Sequence, residues 1–323
     1  MESSIWSVAQ GFNLKCTKSK IFKDKFGHVC VTAQGSVRIQ RGNSKRASGH
    51  NTRNDGIAAI LFQHEIKEHL FKNGFAVDCF LISSQGVPYF RADDGDVYTA
   101  CFAQAGSNID FTDAPAFLGV ARHVANMHHI LYKANITDVP ANKTKIGIDA
   151  NKLLENLTAL KKKLLKAGRF SDFDMLFLRG YEMFAPHIVA SGDAESGTRH
   201  ICHNLLKEEN IYKQGDGQIA ITNFSEAAQI HCLHDLAYII KRYIKAKPQE
   251  IMPIGRILEA YADNCPIPLD EALFRRILLY PDKFIKVTND YYSKKRSFAP
   301  NTYISRMQEC LRAWTVLEEN FRA

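Results

Sequence analysis

The chain has 323 residues, 46% apolar and 11% aromatic, enough for one large two-lobed domain or two smaller ones and too apolar for wholesale disorder. Its 42 basic and 34 acidic residues leave a net charge of +8, compatible with anionic partners. The basic residues are dispersed, with short runs only at Lys161-Lys162-Lys163 and Lys294-Lys295-Arg296, so no basic stripe with interleaved aromatics points to nucleic acid.

The N-terminal MESSIWSVAQGFNLKCTK has no basic start followed by an apolar core, so no signal peptide is expected and synthesis in the cytosol is the default. FGHVCVTAQGSVRIQR (26–41) holds two β-favouring runs around Ala33-Gln34-Gly35-Ser36 and predicts a hairpin. The polar, Gly/Ser/Asn-rich segment 42–56 reads as a loop. Ile60, Leu61, Ile66 and Leu70 then recur at helical spacing and Gly74 supplies a stop, predicting a helix over 57–73. FAVDCFLI (75–82), PYFRA (88–92) and DVYTACFA (96–103) follow as short strand candidates separated by turn signals.

After Gly106 the pattern turns helical. Helices are expected over 114–133, behind an Asp113 N-cap, and over 151–168, which is strongly amphipathic. Further helices are expected over 170–189, 233–247, 253–263, 269–295 and 301–321. No apolar run reaches the length of about 18 residues that a membrane-spanning helix needs. The eight cysteines (Cys16, Cys30, Cys79, Cys101, Cys202, Cys232, Cys265 and Cys310) form no C-x-x-C pair, and their scatter reads as free thiols in a reducing compartment. His231-Cys232-Leu233-His234, taken with Cys202-His203, matches no usual structural zinc spacing, so no metal ligands are assigned.

The stretch ICHNLLKEENIYKQGDGQIAITNF (201–224) carries the outline of a phosphoryl-transfer site without its charges. A kinase catalytic loop reads H-x-D-x-x-x-x-N and is followed by D-F-G. Here His203 and Asn210 keep the spacing, Leu205 stands at the position of the catalytic base, and Asn223-Phe224 replaces the second Asp-Phe. Ile211-Tyr212 and Ile219-Ala220-Ile221 favour strands and Gly215-Asp216-Gly217 favours a turn, which brings Asn210 and Asn223 to the same open end of a ribbon. In a working kinase those two positions hold the magnesium ions that bridge the phosphates.

Read as chemistry, the substitutions remove function. Leu205 cannot accept a proton, and the nearest carboxylates, Glu208 and Glu209, belong to the loop between the motif positions. Asn210 and Asn223 are neutral, whereas magnesium is usually anchored by one or two carboxylates. On the third strand Gln40 falls where the phosphate-gripping lysine is expected, with Arg38 on the same face as a substitute and Glu65 on the first long helix as the candidate partner of such a cation. No G-x-G-x-x-G loop is present; Gly27 and Gly35 stand alone.

Four further stretches carry a resemblance. QGVPYFRADDGDVYTACFAQAGSNIDF (85–111), VANMHHIL (124–131, with His128 on the matching histidine), LHDLAYIIKRY (233–243, with Asp235 keeping an acid) and FIKVTNDYYSKKRSF (284–298) resemble the CotS-type spore-coat proteins, a branch of the aminoglycoside phosphotransferase and choline kinase-like fold. The resemblance implies an α+β, bilobal protein kinase-like fold. Its small β-rich N-lobe would span 1–104, with an antiparallel sheet plus helix 57–73, and its larger helical C-lobe would span 105–323 and carry the degenerate hairpin 203–225. It also implies that His203 and Asp235 brace the catalytic loop, that the partners are other spore-coat proteins, and that the chain is deposited on the spore coat. The resulting expectation is a pseudoenzyme that needs no cofactor. The alternative is an active kinase that phosphorylates a hydroxyl-bearing small molecule with ATP and magnesium, and a third class is a scaffold that binds nucleotide weakly without turnover. The oligomeric state is left open.

Overall fold

The structure is a computed structural model that describes residues 2–16, 21–24, 27–42, 53–140, 150–191, 198–246, 253–293 and 300–322. Most of the expected 42–56 loop (43–52) and the basic run at 294–296 lie outside those residues. The chain divides into two compact units. The first comprises Met1–Asp110, His123–Lys145 and His200–Ile230, and the second Phe111–Arg122, Ile146–Arg199 and His231–Ala323. The 203–225 segment therefore clusters with the N-terminal sheet, although the linear division at 104/105 assigns it to the second half.

The first unit opens with α1 (Glu2–Gly11), then β1 (Ile21–Asp24), β2 (Gly27–Thr32) and β3 (Gly35–Arg41). After α2 (Arg53–Lys72) come β4 (Phe90–Arg91) and β5 (Val97–Phe102). The strands form a five-stranded antiparallel sheet in the order β1-β2-β3-β5-β4. Strand alternation sends Val37 and Ile39 of β3 and Tyr98 and Ala100 of β5 to one face, where Ile5, Val8 and Ala9 of α1, and Phe12 just after it, pack against them. Each of the buried Val, Ile and Phe side chains is worth about 1.5–3 kcal/mol over its exposed state. On the other face Ile60 of α2 packs with Cys101 of β5 and Phe80.

α2 stops as the sequence predicts. Gly74 has φ 77°, Gly74 N–H donates to the Phe71 carbonyl at 3.0 Å, and Phe75 N–H donates to the Leu70 carbonyl at 3.0 Å. These two bonds are those of a Schellman motif, which needs a residue able to adopt the left-handed conformation.

Two expectations need correction in this unit. FAVDCFLI is not a strand: only isolated bridges, Val77 to Ile221 and Phe80 to Cys101, are made there. The backbone divides its hydrogen bonds between two sheets, Ala76 carbonyl accepting from Ile221 N–H at 3.1 Å and Leu81 N–H donating to the Ala100 carbonyl at 2.7 Å, so no continuous ladder forms. Nor are all cysteines free. Cys16 and Cys30 form a disulfide, because α1 lies along the sheet and returns the following segment to β2. The other six cysteines are free thiols, all but Cys79 buried.

The same unit contains β6 (Ser107–Asn108), β8 (Ile211–Lys213) and β9 (Ile219–Ile221) as a three-stranded antiparallel sheet in the order β6-β8-β9. β7 (His200–Cys202) pairs with β10 (Ala228–Ile230). At the β8–β9 turn Gly217 N–H donates to the Gln214 carbonyl at 3.0 Å, and Gly217 adopts φ 85°. α3 (Ala114–Tyr132) begins in the second unit and ends in the first.

The second unit is helical: α4 (Ala150–Ala167), α5 (Asp172–Ser191), α6 (Leu233–Ala246), α7 (Ile254–Ala262), α8 (Glu271–Leu279), α9 (Asp282–Ser293) and α10 (Pro300–Arg322). The start of α5 is fixed by a reciprocal cap, Ser171 N–H donating to Asp174 Oδ2 at 2.8 Å and Asp174 N–H donating to Ser171 Oγ at 3.2 Å. Phe173 stacks on Tyr291 at 3.7 Å, and Phe184 meets Phe284 and Trp314 in the core of the unit. The expected single helix over 269–295 is two, because Pro281 cannot donate to a preceding carbonyl and disfavours helical geometry at Tyr280.

Candidate functional site

The β8–β9 hairpin brings Asn210 and Asn223 together as the turn chemistry predicts. Asn223 Nδ2 donates to Asn210 Oδ1 at 3.3 Å, and Asn210 Nδ2 donates to the Leu205 carbonyl at 2.9 Å. Backbone bonds fix the pair: Thr222 N–H donates to the Asn210 carbonyl at 2.9 Å, and Asn210 N–H donates to the Lys207 carbonyl at 2.9 Å. Asn223 sits at φ 62°, ψ 63°, a left-handed conformation that asparagine tolerates better than most side chains.

His203 closes the loop from below. Leu205 N–H donates to its Nδ1 at 3.2 Å, so the ring proton sits on Nε2, which donates to the Thr222 carbonyl at 2.8 Å. The ring is fully buried and lies 4.6 Å from Phe224. His203 thus spends both nitrogens on backbone, tying the strand of the first motif to that of the second. Asp235 lies in the other unit, fully buried in the first turn of α6, where the helix dipole favours a carboxylate.

The two amides are joined by a hydrogen bond that needs no cation. An aspartate at 223 would set a carboxylate against the Asn210 carbonyl oxygen, acceptor against acceptor, an arrangement that a metal ion resolves. Asn223 supplies a donor there instead, and it consumes the Asn210 oxygen that would face the ion. The donor set of Asn210 and Asn223 therefore does not fit magnesium, and no phosphoryl-transfer step is derived through one. Leu205 is half-buried and offers the site only its backbone. Glu208 and Glu209 form a short 3-10 turn, with Glu209 3.7 Å from Lys207.

Beside Asn223 lies a charge pair that the sequence reading missed. Lys67 of α2, 2% exposed, places Nζ 3.1 Å from Asp78 Oδ1 and 3.9 Å from the centroid of the Phe80 ring. The Asp78 oxygens also face Asn223 N–H at 3.4 and 3.5 Å, and Cys101 Sγ–H at 3.8 Å. Burial, with Asp78 adding to it, pushes the Cys101 thiol up to about 12, so it stays protonated and inert.

Glu65 is not the helix's ionic partner. It is exposed, because α2 turns Ile66, Lys67 and Leu70 inward instead, and the charge this helix delivers is of opposite sign. Arg38 and Gln40 share the face of β3 opposite Val37 and Ile39, half-buried, with Arg38 in register with Cys101 and Gln40 with Thr99. Lys67 had one legible signal: it stands seven residues after Ile60 and three before Leu70, a core position of the helix filled by a charge. Asp78 had a weaker one, an acid inside an otherwise apolar run.

No family model matches the sequence, and no curated protein does. Solved structures do match across nearly the whole chain. An aminoglycoside phosphotransferase from Alicyclobacillus acidocaldarius is 17% identical with a TM-score of 0.73, covering 98% of this chain and 95% of its own. Spectinomycin phosphotransferase in its AMP-bound complex is 12% identical with a TM-score of 0.65, covering 99% and 98%. A microcompartment-associated aminopropanol kinase is 12% identical with a TM-score of 0.58, covering 98% of each chain. The sheet, the degenerate hairpin and these similarities together give the chain the α+β, protein kinase-like fold of the aminoglycoside phosphotransferases and choline kinases.

Proposed function

We propose that this chain is a kinase-fold pseudoenzyme that works through binding and assembly rather than phosphotransfer, and that it serves in the spore coat. One observation carries the first part: the Asn223 amide donates to Asn210 Oδ1 and the Asn210 amide to the Leu205 carbonyl, so two neutral side chains stand at the place of the metal site. Leu205 at the base position supports it, since transfer relies on positioning and electrostatic stabilisation that neither residue supplies. The coat role rests on the CotS-type resemblance of residues 85–111, 124–131, 233–243 and 284–298. The Cys16–Cys30 disulfide suits a destination where thiols oxidise.

A second reading, an active kinase phosphorylating a hydroxyl-bearing small molecule with ATP, is favoured by the similar solved structures, which are small-molecule phosphotransferases. Purified protein separates the two. The pseudoenzyme reading expects no ATP turnover above background with aminoglycosides, choline or amino alcohols, and a melting temperature in millimolar ATP that magnesium leaves unchanged. Robust turnover abolished by Asn210→Ala overturns it and makes the kinase reading correct. For the coat role, a tagged chain expressed in a sporulating host should extract with the coat fraction, and a tag found only in the mother-cell lysate refutes that assignment.

A further inference from the structure

In the helical unit, α5, α6, α8, α9 and α10 line a half-open cavity of about 190 Å3 that no part of the hairpin chemistry uses. Its inner wall is apolar, formed by Phe184, Ile244, Leu278, Trp314 and Leu317, all of them buried. Its rim is ionic and unbalanced, with Lys241, Lys245, Lys283 and Arg312 against Asp282 and Glu309.

The rim pairs show where the imbalance falls. Lys241 Nζ is 2.7 Å from Asp282 Oδ2 and also donates to the Tyr280 carbonyl at 2.9 Å, a satisfied pair. Glu309 serves two ammonium groups at once, Lys283 at 2.9 Å and Lys245 at 3.6 Å. Burial pushes the Glu309 carboxyl up, but the hydrogen bond and charge of Lys283, and then Lys245, outweigh burial and hold it below its usual range. One carboxylate between two lysines leaves this edge of the cavity short of one negative charge. Trp314 also lines the cavity, and its buried Nε1–H has no acceptor among the described residues.

We propose that this cavity is a binding site for a small amphipathic carboxylate, a single aromatic ring or short alkyl chain bearing one carboxylate group. Size and charge both select this class. An apolar cavity of about 150 Å3 accepts a benzene ring, so this one holds a ring or a chain of similar volume. The carboxylate then reaches Lys245 and Lys283 and supplies the missing charge. Cations meet a like-charged rim.

The test uses the full chain carrying Trp6→Phe, so that indole fluorescence reports Trp314 alone, with calorimetry on the unmodified protein beside it. Phenylacetate and hexanoate are the probes, and phenylethanol, hexanol and phenylethylamine the matched controls. The carboxylates should bind saturably at micromolar to millimolar concentration, and each neutral or cationic counterpart should bind at least about ten-fold more weakly, as expected when a charge-assisted hydrogen bond is lost. The double variant Lys245→Gln/Lys283→Gln, at the partly exposed rim, should weaken the carboxylates by about ten-fold or more and leave the alcohols unchanged. Ala313→Phe, which fills the cavity, should abolish all binding. No saturable carboxylate binding, alcohols binding as tightly as carboxylates, or carboxylate binding indifferent to loss of both lysines each overturns the proposal. The rim variant decides the matter even if the filled variant does not fold.

Discussion

Lys67 is a full charge with 2% of its side chain exposed, and its ionic partner Asp78 is 12% exposed. Replacing Lys67 by Met keeps the length and apolar stem of the side chain and deletes the charge. Asp78 is then left among Phe80, Cys101 and the Asn223 backbone N–H, whose contacts at 3.4–3.5 Å are too long to replace an ammonium at 3.1 Å. Removing one member of a buried pair costs about 3–5 kcal/mol, most of it the desolvation of the charge left behind. Removing both members with apolar replacements is close to neutral or stabilising by about 1–4 kcal/mol, so Lys67→Met/Asp78→Leu should restore most of the loss. The assay is equilibrium urea unfolding of the four species in the double-mutant cycle, with hydrogen exchange over 211–224 as the local readout, because Asp78 holds the end of that hairpin. A Lys67→Met variant within about 1 kcal/mol of the parent would refute the reasoning. So would a double variant no more stable than the worse single one.

Asn223→Asp replaces the donor to Asn210 Oδ1 with an acceptor and adds a second carboxylate beside Asp78, so it should cost about 1–3 kcal/mol at pH 7 in EDTA. The cost should shrink once the pH falls below the carboxylate range and the protonated acid donates again, read as a converging melting temperature against the parent. Burial against Phe75 holds His123 down to about 4, against 6.5 for an ordinary histidine, opposed by a hydrogen bond to the Ile219 backbone. The unfolded chain therefore takes up a proton that the folded one refuses, and stability falls as the pH drops from about 6.5 toward 4, by up to about 1.4 kcal/mol per unit. His123→Gln should flatten that slope by about one proton in pH-dependent urea midpoints. The Cys16–Cys30 disulfide closes a loop with a sequence separation of 14. Cys16→Ser should lower the stability of the sheet-bearing unit by about 3 kcal/mol, measured as a shift in urea midpoint that reductant no longer changes.

The parts of the fold that repeat at short range were readable in the sequence. α2 and its Gly74 stop, α3, α4 and the β2–β3 hairpin follow from spacing and turn residues that act within a few positions. The meeting of Asn210 and Asn223 was readable for the same reason, since two short β runs around Gly-Asp-Gly fix their own register. The N-terminal helix α1 was not expected: Ile5, Val8, Ala9 and Phe12 show helical spacing over less than three turns, and its packing on the sheet is what makes it a helix. The 75–82 run has the residue types of a strand, but its partners lie in two different sheets, and propensity says nothing about where partners are. The Lys67–Asp78 pair and the Cys16–Cys30 bond join positions whose proximity only the tertiary structure creates. The break between α8 and α9 was legible at Pro281, and a continuous apolar pattern on both sides masked it.

The Asn210–Asn223 amide bridge has a consequence for how this protein behaves in changing surroundings. A site assembled around a divalent ion alters its shape when chelators, competing cations or acid take the ion away. Two amides do not titrate in the ordinary range, so the bond between them should persist through desalting and chelation.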